Sequence, residues 1–180
     1  MTLANKITIF RILLIVAFMV SFNFGGAAWA WAALLIFCAA SASDFLDGYV
    51  AKKYNQITTF GKFMDPLADK LLVVSALLCF VASGAIAAWI AVIIIFRDSI
   101  VDMMRTLAVS QGKVVAANWW GKRKTAFQMF AIIAFLFDRI YFLSFYDISI
   151  SQVLLYTALL LTIISGIIYM KDNWRFLSFK

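Results

Sequence analysis

The chain has 180 residues, of which 65% are hydrophobic, and its mean hydropathy is +0.96. Globular domains in water are usually about 45–50% apolar, so this composition excludes a water-soluble globule and indicates a chain whose solvent is largely lipid. The net charge is +7, but the basic residues form no long soluble stripe, which argues against nucleic-acid binding.

Six mainly apolar segments are long enough to cross a bilayer as helices, which takes about 20 residues each. They predict an all-α, polytopic membrane protein with about six transmembrane helices, built as one integral-membrane catalytic domain over residues 1–180. Short glycine-containing or polar stretches separate most of them. In chain order the segments are Ile7–Phe24, Ala27–Tyr54, Thr59–Ser83, Ala87–Gln111, Trp119–Tyr141 and Ser149–Met170.

The basic residues predict the orientation of these helices. In a six-helix arrangement, all of the 16 Lys and Arg residues except Arg139 fall on one side. Cytoplasmic ends of membrane helices collect Lys and Arg. Both termini, and the charged ends of the second, third and fourth helices, are therefore expected on the cytoplasmic side of the cell (inner) membrane.

Four aspartates lie where the second and third predicted helices meet. Asp44 and Asp47 are three positions apart and Asp65 and Asp69 are four apart, so each pair shares a helix face. Four carboxylates brought together near lipid repel one another unless a cation joins them. The chain has no His, and oxygen-only ligation favours Mg²⁺ or Mn²⁺ over zinc. We therefore predict a metal site, and expect a pair of ions there, as is known for phosphoryl transfer. The alternative is that the aspartates cap helices or pair with nearby lysines.

Two glycines lie beside the aspartates. Gly48 directly follows Asp47, and Gly61 precedes Asp65 by one turn. Glycine inside a helix costs about 1 kcal/mol relative to alanine, so each position indicates a close approach of a ligand or of another helix. For Gly48, beside a predicted metal ligand, substrate contact is the favoured interpretation.

The stretch from Asp44 to Asp69 is similar to the signature of the CDP-alcohol phosphotransferase family, D-x2-D-G-x2-A-R-x8-G-x3-D-x3-D. Every fixed position agrees except one, where Lys52 stands in place of the usual Arg. Lys keeps the charge but loses the bidentate geometry toward phosphate. The segments 5–11 and 121–128, and Arg97-Asp98 with Arg105, resemble the branch that makes phosphatidylglycerophosphate, although that branch more often has Glu at position 98.

This resemblance implies an activity and a set of roles. The family transfers a phosphatidyl group from CDP-diacylglycerol to an alcohol and releases CMP. Asp44, Asp47 and Asp65 would hold the metal ions, and Asp69 would help at the second metal and act as the general base. A homodimer is also implied. The residues expected around the CDP-lipid are Asn5, Thr8, Gly48, Lys52, Thr58 and Gly61.

Basic residues further along the chain predict a site for the acceptor. Arg97 and Arg105 on the fourth helix and Lys124 on the fifth would bind the phosphate of glycerol 3-phosphate. Arginine in a membrane is costly unless it pairs or binds a ligand, so Asp98 and Asp102 are alternative partners for the two arginines.

Several alternatives remain open for the acceptor and for the class of protein. The cationic set favours a phosphorylated acceptor without separating glycerol phosphate from inositol phosphate. Serine, choline and phosphatidylglycerol are the other acceptors of this family type. A metal or ion transporter would also place acids in a membrane, but the four aspartates of the motif gather on one side only, with no visible inverted repeat.

Overall fold

The computed structural model describes residues 3–53, 59–110, 119–141 and 149–173, with side chains at 7–43, 64, 67–110, 119–140 and 149–173. Its regular secondary structure is entirely helical, with no strand among those residues, and each predicted segment corresponds to one helix. This confirms the all-α prediction. The helices are α1 Leu3–Asn23, α2 Ala27–Lys53, α3 Thr59–Ala82, α4 Ala88–Ser110, α5 Trp119–Tyr141 and α6 Ile150–Asn173.

The helix ends differ from the predicted ones most at α1 and α6. α1 begins at Leu3 rather than Ile7, and α6 continues to Asn173 rather than ending at Met170. Hydropathy marks only the apolar part of a helix, whereas the backbone hydrogen bonds continue through polar residues. At the end of α6, Asn173 Nδ2 donates to the Tyr169 carbonyl oxygen at 2.8 Å, so a polar side chain stabilises this last turn.

A glycine in the left-handed region ends α3. Gly84 has φ = 75°, a conformation that costs glycine little because it has no Cβ. The Ala85 amide donates to the Phe80 carbonyl at 2.9 Å, and the Gly84 amide donates to the Val81 carbonyl at 3.0 Å. This pair of bonds is the Schellman motif, which satisfies carbonyl groups left open at a helix end.

The chain divides into two compact units, the first formed by Met1–Ala85 and Leu136–Leu143. Within it, α1, α2 and α3 contact one another. Three pairs of phenylalanine rings form its core, with ring centroids 5.6–6.0 Å apart, within the range favourable for aromatic pairs. The rings belong to Phe18, Phe22, Phe37 and Phe80.

Arg139, the basic residue predicted to lie apart from the others, caps α1 inside this first unit. Its Nη2 donates to the Phe22 carbonyl at 2.8 Å, and its Cζ lies 4.1 Å from the centroid of the Phe22 ring. The last carbonyl groups of a helix have no partner within the helix and attract cations. The contact therefore ties the end of α5 to the end of α1.

The second unit consists of Ile86–Phe135 and Ser144–Lys180. In it α4 packs against α6, and Val101, Met104 and Tyr169 form a buried cluster between these helices. Residues Trp119–Phe135 of α5 belong to this unit. They contribute Lys124, which is almost completely buried.

Large apolar side chains are exposed on every helix among the described residues. Among the described residues, α6 is long and apolar enough to cross a membrane. Each helix nevertheless exposes more than half of at least one large apolar side chain: Leu13, Leu35, Leu78, Phe96, Phe130 and Ile167.

Candidate active site

The four aspartates of the motif lie on two consecutive helices that contact each other. Asp44 and Asp47 are on the C-terminal half of α2, and Asp65 and Asp69 are on the N-terminal half of α3. The side chains of Asp44, Asp47 and Asp65 lie outside the described residues; that of Asp69 is described and exposed. The four-carboxylate cluster therefore stays a prediction.

The donor chemistry of this stretch fits a hard divalent cation. The candidate metal ligands of the motif are all aspartate carboxylates, and the chain contains no His. Among the described side chains no group of three or more His, Cys, Asp or Glu residues is close enough to hold a metal. The aspartates on α2 and α3 supply oxygen ligands, which are the ligands that such a cation prefers.

The residues predicted around the CDP-lipid lie on α1, α2 and α3, apart from Thr58, which falls outside the described residues. Thr8 is the member of this set whose side chain is described, and it is fully buried on α1. For the others the structure gives the helix but not the side chain: Asn5 on α1, Gly48 and Lys52 on α2, and Gly61 on α3.

A buried arginine joins α1 to α2 immediately before the first aspartate. Arg11 Nε donates to Ser43 Oγ at 3.2 Å, and Ser43 Oγ donates to the Ala40 carbonyl at 2.7 Å. Both side chains are buried. Because Ser43 directly precedes Asp44, this contact fixes the register of α1 against α2 at the start of the motif.

Arg97 and Lys124 share one carboxylate. Arg97 Nη1 donates to Asp98 Oδ1 at 3.0 Å, and Lys124 Nζ donates to Asp98 Oδ2 at 2.6 Å. The Lys124 side chain is only 3% exposed, against 30% for Asp98. Burying an amine is costly unless it is paired, so Asp98 allows Lys124 to lie within the second unit. Two cations and one carboxylate leave this cluster with one net positive charge.

Arg97 is held from α6 as well. Its Nη2 donates to Ser165 Oγ at 2.9 Å, and a Cβ added at Gly166 would lie 3.0 Å from Arg97 Cγ. On α5, a Cβ added at Gly121 would lie 3.8 Å from Arg97 Nη2. Three helices of the second unit therefore surround this one side chain.

In the described contacts, Arg105 lies apart from the cluster of Arg97, Asp98 and Lys124. Its Cζ is 5.8 Å from the centroid of the Tyr169 ring, and the residue is exposed. Eight positions separate it from Arg97, a rise of about 12 Å along a helix. The structure thus brings together two of the three residues predicted for the acceptor phosphate, Arg97 and Lys124.

The sequence reasoning missed Ser43, Ser165 and Gly166. Ser165-Gly166 is a small polar pair within an apolar helix that has no charged residue from Ile150 to Met170. Such a pair often marks close helix packing in membranes. That pattern would have indicated a contact on α6, but not that Arg97 makes it.

Comparison with known proteins agrees with the motif. A family model described as CDP-alcohol phosphatidyltransferase matches residues 1–164. Enzymes of that family work in membranes and depend on a divalent metal ion.

Curated relatives match along almost the whole chain. The "CDP-diacylglycerol--glycerol-3-phosphate 3-phosphatidyltransferase" of Bacillus subtilis is 38% identical over 96% of this chain and 95% of its own length. The protein of the same name from Haemophilus influenzae is 38% identical over 92% of this chain and 89% of its own length. A "Probable phosphatidylglycerophosphate synthase" of Mycobacterium tuberculosis is 35% identical over 96% and 82%. The chain therefore belongs to the CDP-alcohol phosphatidyltransferase family.

Proposed function

We propose that the protein transfers a phosphatidyl group from CDP-diacylglycerol to glycerol 3-phosphate, giving phosphatidylglycerophosphate and CMP. The observation that carries this proposal is the spacing of Asp44, Asp47, Asp65 and Asp69 on two contacting helices. Relatives named for this reaction, matched over almost their whole length, support the choice of substrates.

The four aspartates would hold Mg²⁺ or Mn²⁺, with a pair of ions as the expected arrangement. Carboxylate oxygens are the donors that both cations prefer. When bound, such ions neutralise the negative charge of a diphosphate and of the leaving phosphate. Neither helix carries another described acid that would compete for this role.

Asp69 would act as the general base. The acceptor hydroxyl oxygen forms a bond to the phosphorus of the phosphatidyl group while the bond from that phosphorus to the oxygen of CMP breaks. Asp69 takes the proton of the attacking hydroxyl, and CMP leaves with the bridging oxygen. The side chain of Asp69 is exposed, and a base has to come within hydrogen-bond reach of the proton it accepts.

The first unit would bind the CDP-lipid. Its helices α1, α2 and α3 contact one another, and the residues proposed for this role are distributed along them. Gly48 and Gly61 would let the nucleotide approach the backbone, because glycine has no Cβ. The full set is Asn5, Thr8, Gly48, Lys52, Thr58 and Gly61.

The second unit would bind the acceptor phosphate through Arg97 and Lys124. The pair shares Asp98 and keeps one net positive charge, which suits a phosphorylated alcohol better than a neutral or zwitterionic one. Arg105, exposed on the same helix, would add a second point of attraction for the phosphate.

The remaining parts of the proposal concern the membrane and the assembly. The six helices have 21 to 27 residues, enough to span a bilayer core, and we place them across the inner membrane with both termini and the active site cytoplasmic. One catalytic domain of residues 1–180 and a homodimer complete the proposal.

An acceptor screen tests this function. Purified protein in lipid nanodiscs is given radiolabelled CDP-diacylglycerol with glycerol 3-phosphate, inositol phosphate, serine, choline or phosphatidylglycerol, and CMP release is measured. We expect turnover with glycerol 3-phosphate that stops when a chelator removes divalent metal. Because Arg97 and Lys124 would suit inositol phosphate equally well, turnover with that acceptor alone would replace the proposal with a sister reaction.

A further inference from the structure

Arg97 and Ser165 are 68 positions apart, and a hydrogen bond joins their side chains. Ser165 Oγ donates its one proton to the Thr162 carbonyl at 3.1 Å. The oxygen can still accept hydrogen bonds through its lone pairs, and it accepts one from Arg97 Nη2 at 2.9 Å. Ser165 is fully buried, so this hydrogen bond lies inside the second unit.

Gly166 supplies the room in which the stem of Arg97 lies. A Cβ at this position would be 3.0 Å from Arg97 Cγ and 3.7 Å from Arg97 Nε. Arg97 Cγ belongs to the inner part of the arginine side chain. This part has little freedom to move while the guanidinium keeps its hydrogen bonds to Asp98 and Ser165. An alanine here would therefore require the stem of Arg97 to shift away from α6 by a few tenths of an ångström.

Ser165 and Gly166 each carry a free-energy cost in an apolar helix, which indicates that they have a role. Glycine lowers helix stability relative to alanine, and a buried hydroxyl has to find partners. Both costs fall at adjacent positions of α6, and both are explained by one side chain on α4. Asp98 restrains Nη1 of the same guanidinium at 3.0 Å, so the two terminal nitrogens are fixed from two helices.

We propose that Ser165 and Gly166 are positioning residues that orient the Arg97 guanidinium toward the acceptor phosphate. This inference rests on the proposed function in naming the acceptor. It adds α6 to the acceptor site, a helix whose apolar stretch has no ionisable side chain except tyrosine. Neither residue contacts substrate; each acts through Arg97.

The first test replaces the hydroxyl. In Ser165→Ala we expect the KM for glycerol 3-phosphate to rise about five- to tenfold, because one hydrogen bond to a charged group is lost, with the KM for CDP-diacylglycerol within about twofold of wild type. Ser165→Thr keeps the hydroxyl and should restore most of the acceptor KM. Equal increases in both KM values, or no recovery in the threonine variant, would overturn the proposal.

A matched control separates positioning from simple helix stability. Ser75→Ala removes a buried serine that also donates to the carbonyl three positions earlier, Leu72, at 2.9 Å, but lies on α3 in the first unit. It should leave both KM values unchanged. A shift in acceptor KM as large as that of Ser165→Ala would mean that loss of any such serine has this effect, and the proposal would be wrong.

The second test removes the space. Gly166→Ala should raise the acceptor KM, while Gly25→Ala, at a position with nothing within 4 Å of an added Cβ, should not. If Gly166→Ala fails to fold, the serine variants decide the question alone. An unchanged acceptor KM in folded Gly166→Ala would contradict the inference.

A binding measurement keeps this inference distinct from the proposed function. Inorganic phosphate should raise the Tm of the wild-type protein and raise that of Ser165→Ala less. If wild-type protein does not turn over glycerol 3-phosphate, the proposed function fails, and this difference in phosphate protection alone decides the role of Ser165. Equal protection of both proteins, or none of either, would refute that role.

Discussion

The side-chain amine of Lys124 lies 2.6 Å from a carboxylate oxygen of Asp98, so that one acidic residue on α4 holds a nearly fully buried cation on α5. The same carboxylate accepts from Arg97 at 3.0 Å. Removal of Lys124 would still leave Asp98 with one partner. The lysine can therefore be removed without leaving Asp98 unpaired.

We expect Lys124→Met to raise the KM for glycerol 3-phosphate about tenfold or more, since a charge-assisted contact to phosphate is lost. Steady-state kinetics with each substrate varied in turn would measure this. Lys122→Met, which changes an exposed lysine two positions earlier, is the control and should match wild type. An unchanged acceptor KM in Lys124→Met would remove Lys124 from the site.

Asp69→Asn should abolish phosphatidyl transfer while the protein stays folded. The amide cannot take a proton from the acceptor hydroxyl and is a poorer metal ligand. CMP release together with the thermal unfolding midpoint would show this. Asp172→Asn, an exposed aspartate at the end of α6, makes the same chemical change elsewhere and should keep full activity; turnover close to wild type in Asp69→Asn would exclude Asp69 as the base.

Arg105→Ala should raise the acceptor KM more than the KM for the CDP-lipid. Because Arg105 is exposed and its described contact is with the Tyr169 ring, its effect should be smaller than that of Arg97→Ala, about threefold to tenfold for a solvent-screened charge. Arg123→Ala is the control, since Arg123 is also exposed and stacks on an aromatic ring, that of Trp119. Equal changes in both KM values would argue against Arg105 in the acceptor site.

Arg139→Met should lower stability without altering the chemistry. The change removes the hydrogen bond to the Phe22 carbonyl and the cation over the Phe22 ring, together about 1–3 kcal/mol. We expect a lower Tm in detergent and wild-type KM values at low temperature. A Tm equal to that of wild type would mean that the cap on α1 contributes nothing to stability.

Hydropathy predicted the helices because a spanning segment must be apolar over a length set by the bilayer. Hydropathy could not predict that α6 runs to Asn173, because this last turn is polar. It is stabilised by a hydrogen bond from the Asn173 side chain to the Tyr169 carbonyl. The backbone of the aspartate motif was predicted on α2 and α3, where the structure has it.

The contacts between distant residues were harder to predict. Asp98 was one of two aspartates named as alternative partners for the arginines, and it pairs with Arg97. Two further contacts depend on how α4, α5 and α6 pack in the second unit. Lys124 shares Asp98 with Arg97, and Ser165 accepts a hydrogen bond from Arg97. No local pattern carries that information, since the partners are 26 and 68 positions apart.

The way α5 is divided has a consequence for biosynthesis. Its residues up to Phe135 belong to the second unit, while Leu136–Leu143 return to the first, where Arg139 covers the end of α1. When the ribosome has made α1, α2 and α3, it has therefore not yet made Arg139, which caps the end of α1. The contact of Arg139 with the end of α1 must wait until more than fifty further residues, including α4 and most of α5, have been made.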